Sequence, residues 1–205
     1  MTPVTVLTGF LGSGKTTLLS KLIRHPDMAR TAVVINEFCD VGLDHILLES
    51  SDENIVELNS GCLCCTIRGD LVVTLEDLLA RRHRGDIMDF DRIIIETTGL
   101  ADPVPILHAL MTDKALGGAI RLEGVVTTVD AVNGAATLDR HDESVRQATV
   151  ADRIVLTKND LADPEASNLP KRLRALNPAV PLLPLLLFDT FAAAAASARV
   201  ASRGR

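Results

Sequence analysis

The sequence predicts an α/β fold in which a mostly parallel β-sheet carries helices on both faces. Short runs of β-branched and apolar residues recur along the 205 residues, and segments with helical spacing separate them. Parallel strands need crossover connections, and these cover both faces of the sheet. The sequences of such strands are therefore continuously apolar rather than alternating. This length suits one large domain or two small ones, and we expect a single core.

The apolar runs place the predicted strands at 4–8, 31–36, 55–59, 92–96, 124–130, 153–158 and 180–186. A helix is predicted from about 15 to 24, directly after the first strand. A second helix is predicted over 66–82, where apolar residues recur every three or four positions.

Composition excludes several classes of function. The net charge is −6 and the chain contains neither Trp nor Tyr, which argues against nucleic-acid binding. No uncharged apolar run reaches the roughly 18 residues of a membrane helix, and the N-terminus lacks the basic segment of a signal peptide. We therefore expect a cytoplasmic protein with no nucleic-acid or membrane partner.

The segment G-F-L-G-S-G-K-T (9–16) matches the pattern G-x-x-x-x-G-K-[ST] between a predicted strand and a predicted helix. Glycines let the backbone wrap around phosphates and direct its N–H groups at them. Lys15 would neutralise the β- and γ-phosphates, and Thr16 would offer its hydroxyl to Mg²⁺. A glycine-rich turn without a ligand is the alternative, which the agreement of motif and flanks disfavours. The sequence therefore predicts a P-loop NTPase fold.

The segment T-K-N-D (157–160) follows a predicted strand and indicates which base is bound. The Asp160 carboxylate could accept two hydrogen bonds from guanine, which adenine cannot offer together, and the Lys158 stem would cover the face of the base. A buried acid left unpaired by the wrong base gives discrimination. A helix-capping turn is the alternative, but downstream of the phosphate-binding loop the pattern favours GTP.

The segment I-I-I-E-T-T-G-L-A-D-P (93–103) places an acid at a strand end. Glu96 could hold a Mg²⁺-bound water or orient the attacking one, and the Gly99 N–H could contact the γ-phosphate. A strand followed by a capped turn is the alternative interpretation.

Three of the four cysteines, Cys62, Cys64 and Cys65, lie within G-C-L-C-C-T-I (61–67). In a reducing compartment clustered thiols are more often metal ligands or catalytic groups than disulfides. Thiolates suit Zn²⁺ or a similarly soft ion, and without a second ligand pair the site would be open, as transient holding requires. A redox pair and coincidence remain alternatives, although a bridge between adjacent cysteines would be strained.

The segment V-I-N-E-F-C-D-V-G-L-D-H (34–45) holds further potential ligands. Glu37 could face either Mg²⁺ or a neighbouring metal. Cys39 could be a fourth thiolate, but we favour a packed small side chain. His45 is more simply a surface or packing residue.

Together these residues resemble the CobW-type GTPases, relatives of the UreG and HypB metallochaperones. The matching segments are G-F-L-G-S-G-K-T-T (9–17), N-E-F (36–38), G-C-L-C-C-T-I-R-G-D-L (61–71), E-T-T-G-L-A-D-P (96–103), V-D-A (129–131), A-D-R-I-V-L-T-K-N-D (151–160) and A-L-N-P (175–178). The resemblance implies a Mg²⁺-dependent GTPase whose nucleotide state controls delivery of zinc or cobalt to a client metalloprotein.

The resemblance and the motifs together give three sets of predicted site residues. Catalysis would use Lys15, Glu37 and Glu96. The nucleotide would contact Gly9, Gly12, Ser13, Gly14, Lys15, Thr16, Thr17, Gly99, Lys158 and Asp160. Metal ligands would be Cys62, Cys64 and Cys65 for the transition metal, with Thr16 and Glu37 near Mg²⁺. Intrinsic turnover should be slow, since no arginine finger is evident.

We expect a GTPase domain over 1–190 and an Ala- and Arg-rich tail or linker over 191–205, without the C-terminal domain usual in the family. The sequence does not decide whether the chain forms a homodimer. A nucleotide-regulated thiol redox sensor or adaptor is the first rival function. A P-loop small-molecule kinase is the second, which T-K-N-D disfavours.

Overall fold

The computed structural model describes residues 1–36, 55–57, 63–66, 70–162 and 168–185. The strands are β1 (Thr2–Gly9), β2 (Thr31–Asn36), β3 (Ile55–Glu57), β4 (Leu63–Thr66), β5 (Arg92–Thr97), β6 (Ile120–Asp130), β7 (Arg153–Thr157) and β8 (Leu182–Pro184). The α-helices are α1 (Lys15–Leu22), α2 (Leu71–Arg84), α3 (Pro103–Thr112), α4 (Gly134–Arg140), α5 (Asp142–Thr149) and α6 (Leu169–Leu176), and a 3₁₀ turn spans Pro26–Met28.

The eight described strands form one sheet in the order β3-β4-β2-β5-β1-β6-β7-β8. Every neighbouring pair is parallel except β3 and β4, which are antiparallel. β1 lies between β5 and β6, so the carboxyl ends of these three strands and of β7 meet at one edge. Ligands of open α/β sheets bind at this edge. The predicted α/β fold is confirmed.

Helices cover both faces of the sheet, because successive strand residues alternate between two clusters of buried side chains. Val4 and Val6 of β1 pack with residues of α2 and α3, whereas Leu7 packs with residues of α1. A third cluster, on β6 and β7, packs against α4, α5 and α6. The strand β1 and the loop that follows it are therefore fixed in the middle of the core.

The helix predicted over 66–82 is wrong at its start. The helix α2 begins at Leu71, where the side chain of Asp70 accepts a 2.7 Å hydrogen bond from the Val72 N–H as an N-cap. Residues 63–66 instead form β4, whose backbone pairs with β2 on one side and β3 on the other. Only Thr66 of the predicted helix lies in β4, and its pairing with Ile35 of the distant strand β2 overrides the local helical spacing there.

The other predicted boundaries shift by a few residues, as at β6, which begins at Ile120, and β8, which is limited to Leu182–Pro184. The predicted tail over 191–205 lies outside the described residues. Among the described helices, none is long and apolar enough to cross a membrane.

Candidate functional site

The loop between β1 and α1 is a tight, glycine-dependent turn. Gly12 and Gly14 have φ values of +69° and +89°, a backbone region that side chains with a Cβ rarely adopt. Gly14 is the N-cap of α1, and no side chain in the described residues caps it. The N–H groups of the first helical turn are therefore suited to an anion at this position.

Buried hydroxyl groups hold this loop against the neighbouring strands. Ser13 Oγ lies 2.6 Å from Thr128 Oγ1 at the end of β6, and Thr157 Oγ1 at the end of β7 donates a 2.7 Å hydrogen bond to the Ser13 carbonyl. Lys15 Nζ donates to the Gly9 carbonyl at 2.9 Å and to the Phe10 carbonyl at 3.3 Å. The loop is thus positioned by the strand ends of β1, β6 and β7.

The side chains of Thr16 and Glu96 meet beside the loop. Thr16 Oγ1 donates a 2.7 Å hydrogen bond to Glu96 Oε1. Glu96 is 2% exposed, near the end of β5. Hydroxyl and carboxylate oxygens are ligands that Mg²⁺ accepts, so these residues fit that ion.

Lys158 forms an ion pair that the sequence analysis did not predict. Its φ is +55°, and its Nζ lies 2.7 Å from Asp130 Oδ2 at the end of β6. Burial tends to raise the pKa of Asp130, but hydrogen bonds from Lys158, Asn133 and Val132 together hold this pKa below its ordinary value. Asp160, the predicted reader of guanine, is exposed two residues further on. A bound base would itself have to bury that carboxylate.

The segment 98–102, which follows β5, lies against the phosphate-binding loop. A Cβ added at Gly99 would come within 2.6 Å of the Leu11 backbone nitrogen, so only glycine permits this approach. Gln147 Nε2 also donates hydrogen bonds to the carbonyls of Gly99 and Ala101 in this segment, at 3.2 and 3.0 Å. We call this segment the sensor loop.

A cavity of about 280 Å³ opens beside the first half of the phosphate-binding loop. Its wall combines residues 10–13 of that loop with the ends of β6 and with α4 and α5, including Asp130, Gln147 and Lys158. Phe10 stacks at 4.3 Å on the ring of His141, which joins α4 to α5. Helices α4 and α5 therefore form part of the surroundings of the site.

The predicted metal ligands are only partly described. Cys64 and Cys65 lie on β4, beside Val33 and Val34 of β2. Cys62, Glu37, Cys39 and His45 lie outside the described residues. Within the described part of the chain, no group of three or more His, Cys, Asp or Glu side chains could hold a metal ion.

Sequence reasoning missed Asp130, Thr128 and Gln147. Asp130 lies in V-D-A (129–131), at a predicted strand end. Its proximity to Lys158 follows once β6 and β7 are known to be adjacent and parallel. Thr128 is in the same strand. Gln147 carried no signal, since a lone glutamine on a helix has no motif.

The fold and this site define a nucleotide-binding protein of the P-loop class. The family model described as CobW/HypB/UreG, nucleotide-binding domain, matches residues 3–184. The chain belongs to this family.

Two relatives with curated names are similar over most of the chain. The zinc chaperone YjiA of Escherichia coli is 40% identical over 179 residues, which cover 87% of this chain and 56% of YjiA. The zinc-regulated GTPase metalloprotein activator 1 of Schizosaccharomyces pombe is 39% identical over 171 residues, covering 80% of this chain and 40% of that protein. The chain thus spans about half the length of these relatives.

Solved structures agree with the fold. The Zn(II)-bound YjiA GTPase from E. coli superposes with a TM-score of 0.74 at 38% identity, covering 88% of this chain and 56% of that one. HypB from Helicobacter pylori in complex with nickel gives a TM-score of 0.61 at 18% identity, covering 96% and 86%. The second likeness supports the fold alone.

Proposed function

We propose that this chain binds and hydrolyses GTP with Mg²⁺ and uses its nucleotide state to control the holding of a transition metal, zinc above all, for delivery to a client metalloprotein in the cytoplasm. The observation that carries the proposal is the Thr16–Glu96 hydrogen bond at the phosphate-binding loop. It brings together two oxygen groups suited to Mg²⁺ beside glycines suited to phosphate. The names of the relatives, zinc chaperone and zinc-regulated GTPase, support the same conclusion.

Triphosphate binding rests on the loop and the first turn of α1. Backbone N–H groups between Gly12 and Thr17 would donate hydrogen bonds to the phosphate oxygens, and the dipole of α1 would favour their negative charge. Lys15 Nζ, now bonded to the Gly9 and Phe10 carbonyls, lies close enough to turn toward a β- or γ-phosphate. When bound, Mg²⁺ would neutralise charge on the phosphates, with Thr16 as a ligand.

Hydrolysis would depend on Glu96 and on the sensor loop. The Glu96 carboxylate is buried next to Thr16, in a position to orient a water molecule by accepting its proton in a hydrogen bond. The Gly99 N–H would sense the γ-phosphate, because Gly99 already lies against Leu11. Glu37 is proposed as a further acid of this site from its sequence position.

Guanine selectivity would come from the turn after β7. Asp160 would accept the two N–H hydrogen bonds of guanine, and base binding would remove its exposed carboxylate from water. Lys158 is held by Asp130, which orients its stem before the base arrives. Preorganisation of this kind lowers the entropy cost of binding.

The register of the sheet supports coupling between the nucleotide and the cysteines. The Cα of Ile35 on β2 is paired with Thr66 on β4 and with Glu96 on β5. Cys65 precedes Thr66 by one residue, and β4 lies two strands away from β5. At the usual strand spacing the Cα atoms of Cys65 and Glu96 are therefore about 10 Å apart. Glu37 follows β2, which runs between them, so a change at the phosphate has a short route to the metal ligands.

Metal and nucleotide titrations of the reduced protein test this proposal. The chain should prefer GTP over ATP, need Mg²⁺ for hydrolysis, and bind one zinc ion in competition with a chelating dye. Cys64→Ser should lose tight zinc binding, whereas Cys39→Ser, which changes the fourth cysteine, should retain it. Wild-type zinc affinity in Cys64→Ser, or a reversible disulfide without stoichiometric zinc, would contradict the metal part of the proposal.

A further inference from the structure

The sensor loop, which lies against the phosphate-binding loop, is also held by one buried side chain. Gln147 is 1% exposed, and its Nε2 donates to two carbonyls of the loop, those of Gly99 and Ala101. The amide therefore uses both of its N–H groups on backbone atoms only two residues apart. Such a double contact fixes the orientation of both peptide groups.

Gln147 is itself held by the strand that also holds the phosphate-binding loop. The backbone carbonyl of Gln147 accepts a 2.8 Å hydrogen bond from the buried Thr127 hydroxyl of β6. The next residue of β6, Thr128, contacts Ser13 Oγ at 2.6 Å. The phosphate-binding loop and the support of the sensor loop are thus tied to adjacent residues of the same strand.

A second, exposed contact connects the same helix with the end of the sensor loop. Arg146 Nη1 lies 3.1 Å from Asp102 Oδ2. Asp102 in turn caps α3 by accepting a hydrogen bond from the Val104 N–H at 3.0 Å. Helix α5 therefore contacts the loop at three residues, two through Gln147 and one through Arg146.

The chemistry of the glutamine indicates that its hydrogen-bond donors matter. Its Oε1 is buried and has no hydrogen-bond partner among the described residues, which is unfavourable for a polar atom. An apolar side chain of similar volume would fill the space without this penalty. What glutamine adds is the pair of N–H groups that hold the Gly99 and Ala101 carbonyls.

We propose that Gln147 is a positioning residue for discrimination between GTP and GDP. It keeps Gly99 against Leu11, where the Gly99 N–H is available to the γ-phosphate, and so makes the loop ready before GTP binds. GDP has no γ-phosphate and gains nothing from this placement. The inference rests on the proposed GTPase function and adds the residue that sets its selectivity for the triphosphate.

The test compares the affinities of a non-hydrolysable GTP analogue and of GDP, both with Mg²⁺, in the wild type and in Gln147→Leu. Leucine fills similar space but donates no hydrogen bond. The affinity for the analogue should fall about tenfold, the size of one or two lost net hydrogen bonds, while the affinity for GDP stays within about twofold. Single-turnover hydrolysis should slow at saturating GTP. Thr149→Val is the matched control, because the exposed Thr149 hydroxyl donates to the Val145 carbonyl within α5, and it should keep the wild-type ratio.

A folded Gln147→Leu variant that keeps the wild-type ratio of the two affinities, or that loses both affinities equally, would overturn the inference. If this variant does not fold, Gln147→Met decides, since methionine also fills similar space and donates no hydrogen bond. A fall in the affinity for the analogue relative to that for GDP would support the inference, and an unchanged ratio would overturn it. A wild type that binds no GTP contradicts the proposed function itself, whereas a discriminating wild type with an unaffected variant contradicts only the role of Gln147.

Discussion

The hydroxyl of Thr16 donates a 2.7 Å hydrogen bond to the carboxylate of Glu96, although 80 residues separate them along the chain. Two parallel strands bring them together, because β1 leads through the phosphate-binding loop into α1, which carries Thr16, and β5 ends near Glu96, with Leu7 and Glu96 in register. The Asp130–Lys158 pair likewise joins the ends of the neighbouring strands β6 and β7, whereas Gln147 contacts the site from helix α5.

Glu96→Gln should reduce GTP hydrolysis by about a hundredfold or more, because the amide cannot take part in proton transfer as the carboxylate can. GTP binding should change only a few-fold, since the Gln side chain keeps the size and a hydrogen-bond acceptor for Thr16. Single-turnover hydrolysis and fluorescent-nucleotide binding measure the two quantities. Glu76→Gln, on the exposed face of α2, is the control. A Glu96→Gln variant with wild-type turnover would remove Glu96 from the catalytic site.

Gly99→Ala should disturb the fold locally and the triphosphate site specifically. The new methyl group would lie 2.6 Å from the Leu11 nitrogen and 2.8 Å from its Cα, so the backbone must move. Overpacking of this kind costs about 1–3 kcal/mol in the free energy of unfolding, measured by urea denaturation. Affinity for a GTP analogue should fall more than affinity for GDP. Leu100→Ala, at the exposed neighbouring residue, is the control and should leave the free energy of unfolding nearly unchanged. A Gly99→Ala variant as stable as the wild type would show that the loop can move to accommodate the methyl group.

Asp130→Asn should lower stability at neutral pH and remove part of its pH dependence. The pKa of Asp130 in the folded protein is below the ordinary value of 3.8, so its carboxylate stabilises the fold above that pH. This contribution is lost as the pH falls through the folded-state pKa. With Lys158 partly exposed, we expect a loss of about 1 kcal/mol at pH 7.

Urea denaturation of both proteins at pH 7 and at about pH 3 measures this difference, which should shrink at the lower pH. Asp89→Asn, which breaks the exposed pair with Arg30, controls for the change of net charge and should have the smaller effect. A stability difference that stays constant over the whole pH range would mean that Asp130 does not contribute through its charge.

Asp160→Ala should reduce the affinity for GTP by about a hundredfold while leaving the weak affinity for ATP unchanged, because the lost carboxylate pairs only with guanine. Competition between unlabelled nucleotides and a fluorescent GDP measures both. Asp86→Ala, a surface acid beside Arg84, is the control. Parallel losses for both nucleotides would assign Asp160 a structural role instead.

Much of the fold could be predicted because its signals are local. The phosphate-binding loop needs glycines at fixed spacing, and buried parallel strands need apolar runs. Both features can therefore be recognised from the sequence alone. The helix predicted from residue 66 begins only at Leu71, because Thr66 belongs to β4 and pairs with Ile35 of β2. No local pattern reports that pairing.

The candidate site divides in the same way. Thr16 and Glu96 belong to motifs, and a hydrogen bond joins their side chains. The Asp130–Lys158 pair and the Gln147 contacts depend on which strands and helices are neighbours, and this is set by the order of the sheet. A single sequence does not carry that order, so these residues required the structure.

We propose that the nucleotide state and the holding of the metal are coupled in one domain. Zinc affinity, measured with a non-hydrolysable GTP analogue and with GDP, both with Mg²⁺, tests this coupling. Zinc should bind about 5- to 150-fold more tightly with the analogue, and the analogue should gain the same factor in affinity when zinc is present, because coupling is reciprocal. Equal zinc affinities in the two nucleotide states would contradict it. The chain would then hold nucleotide and metal independently.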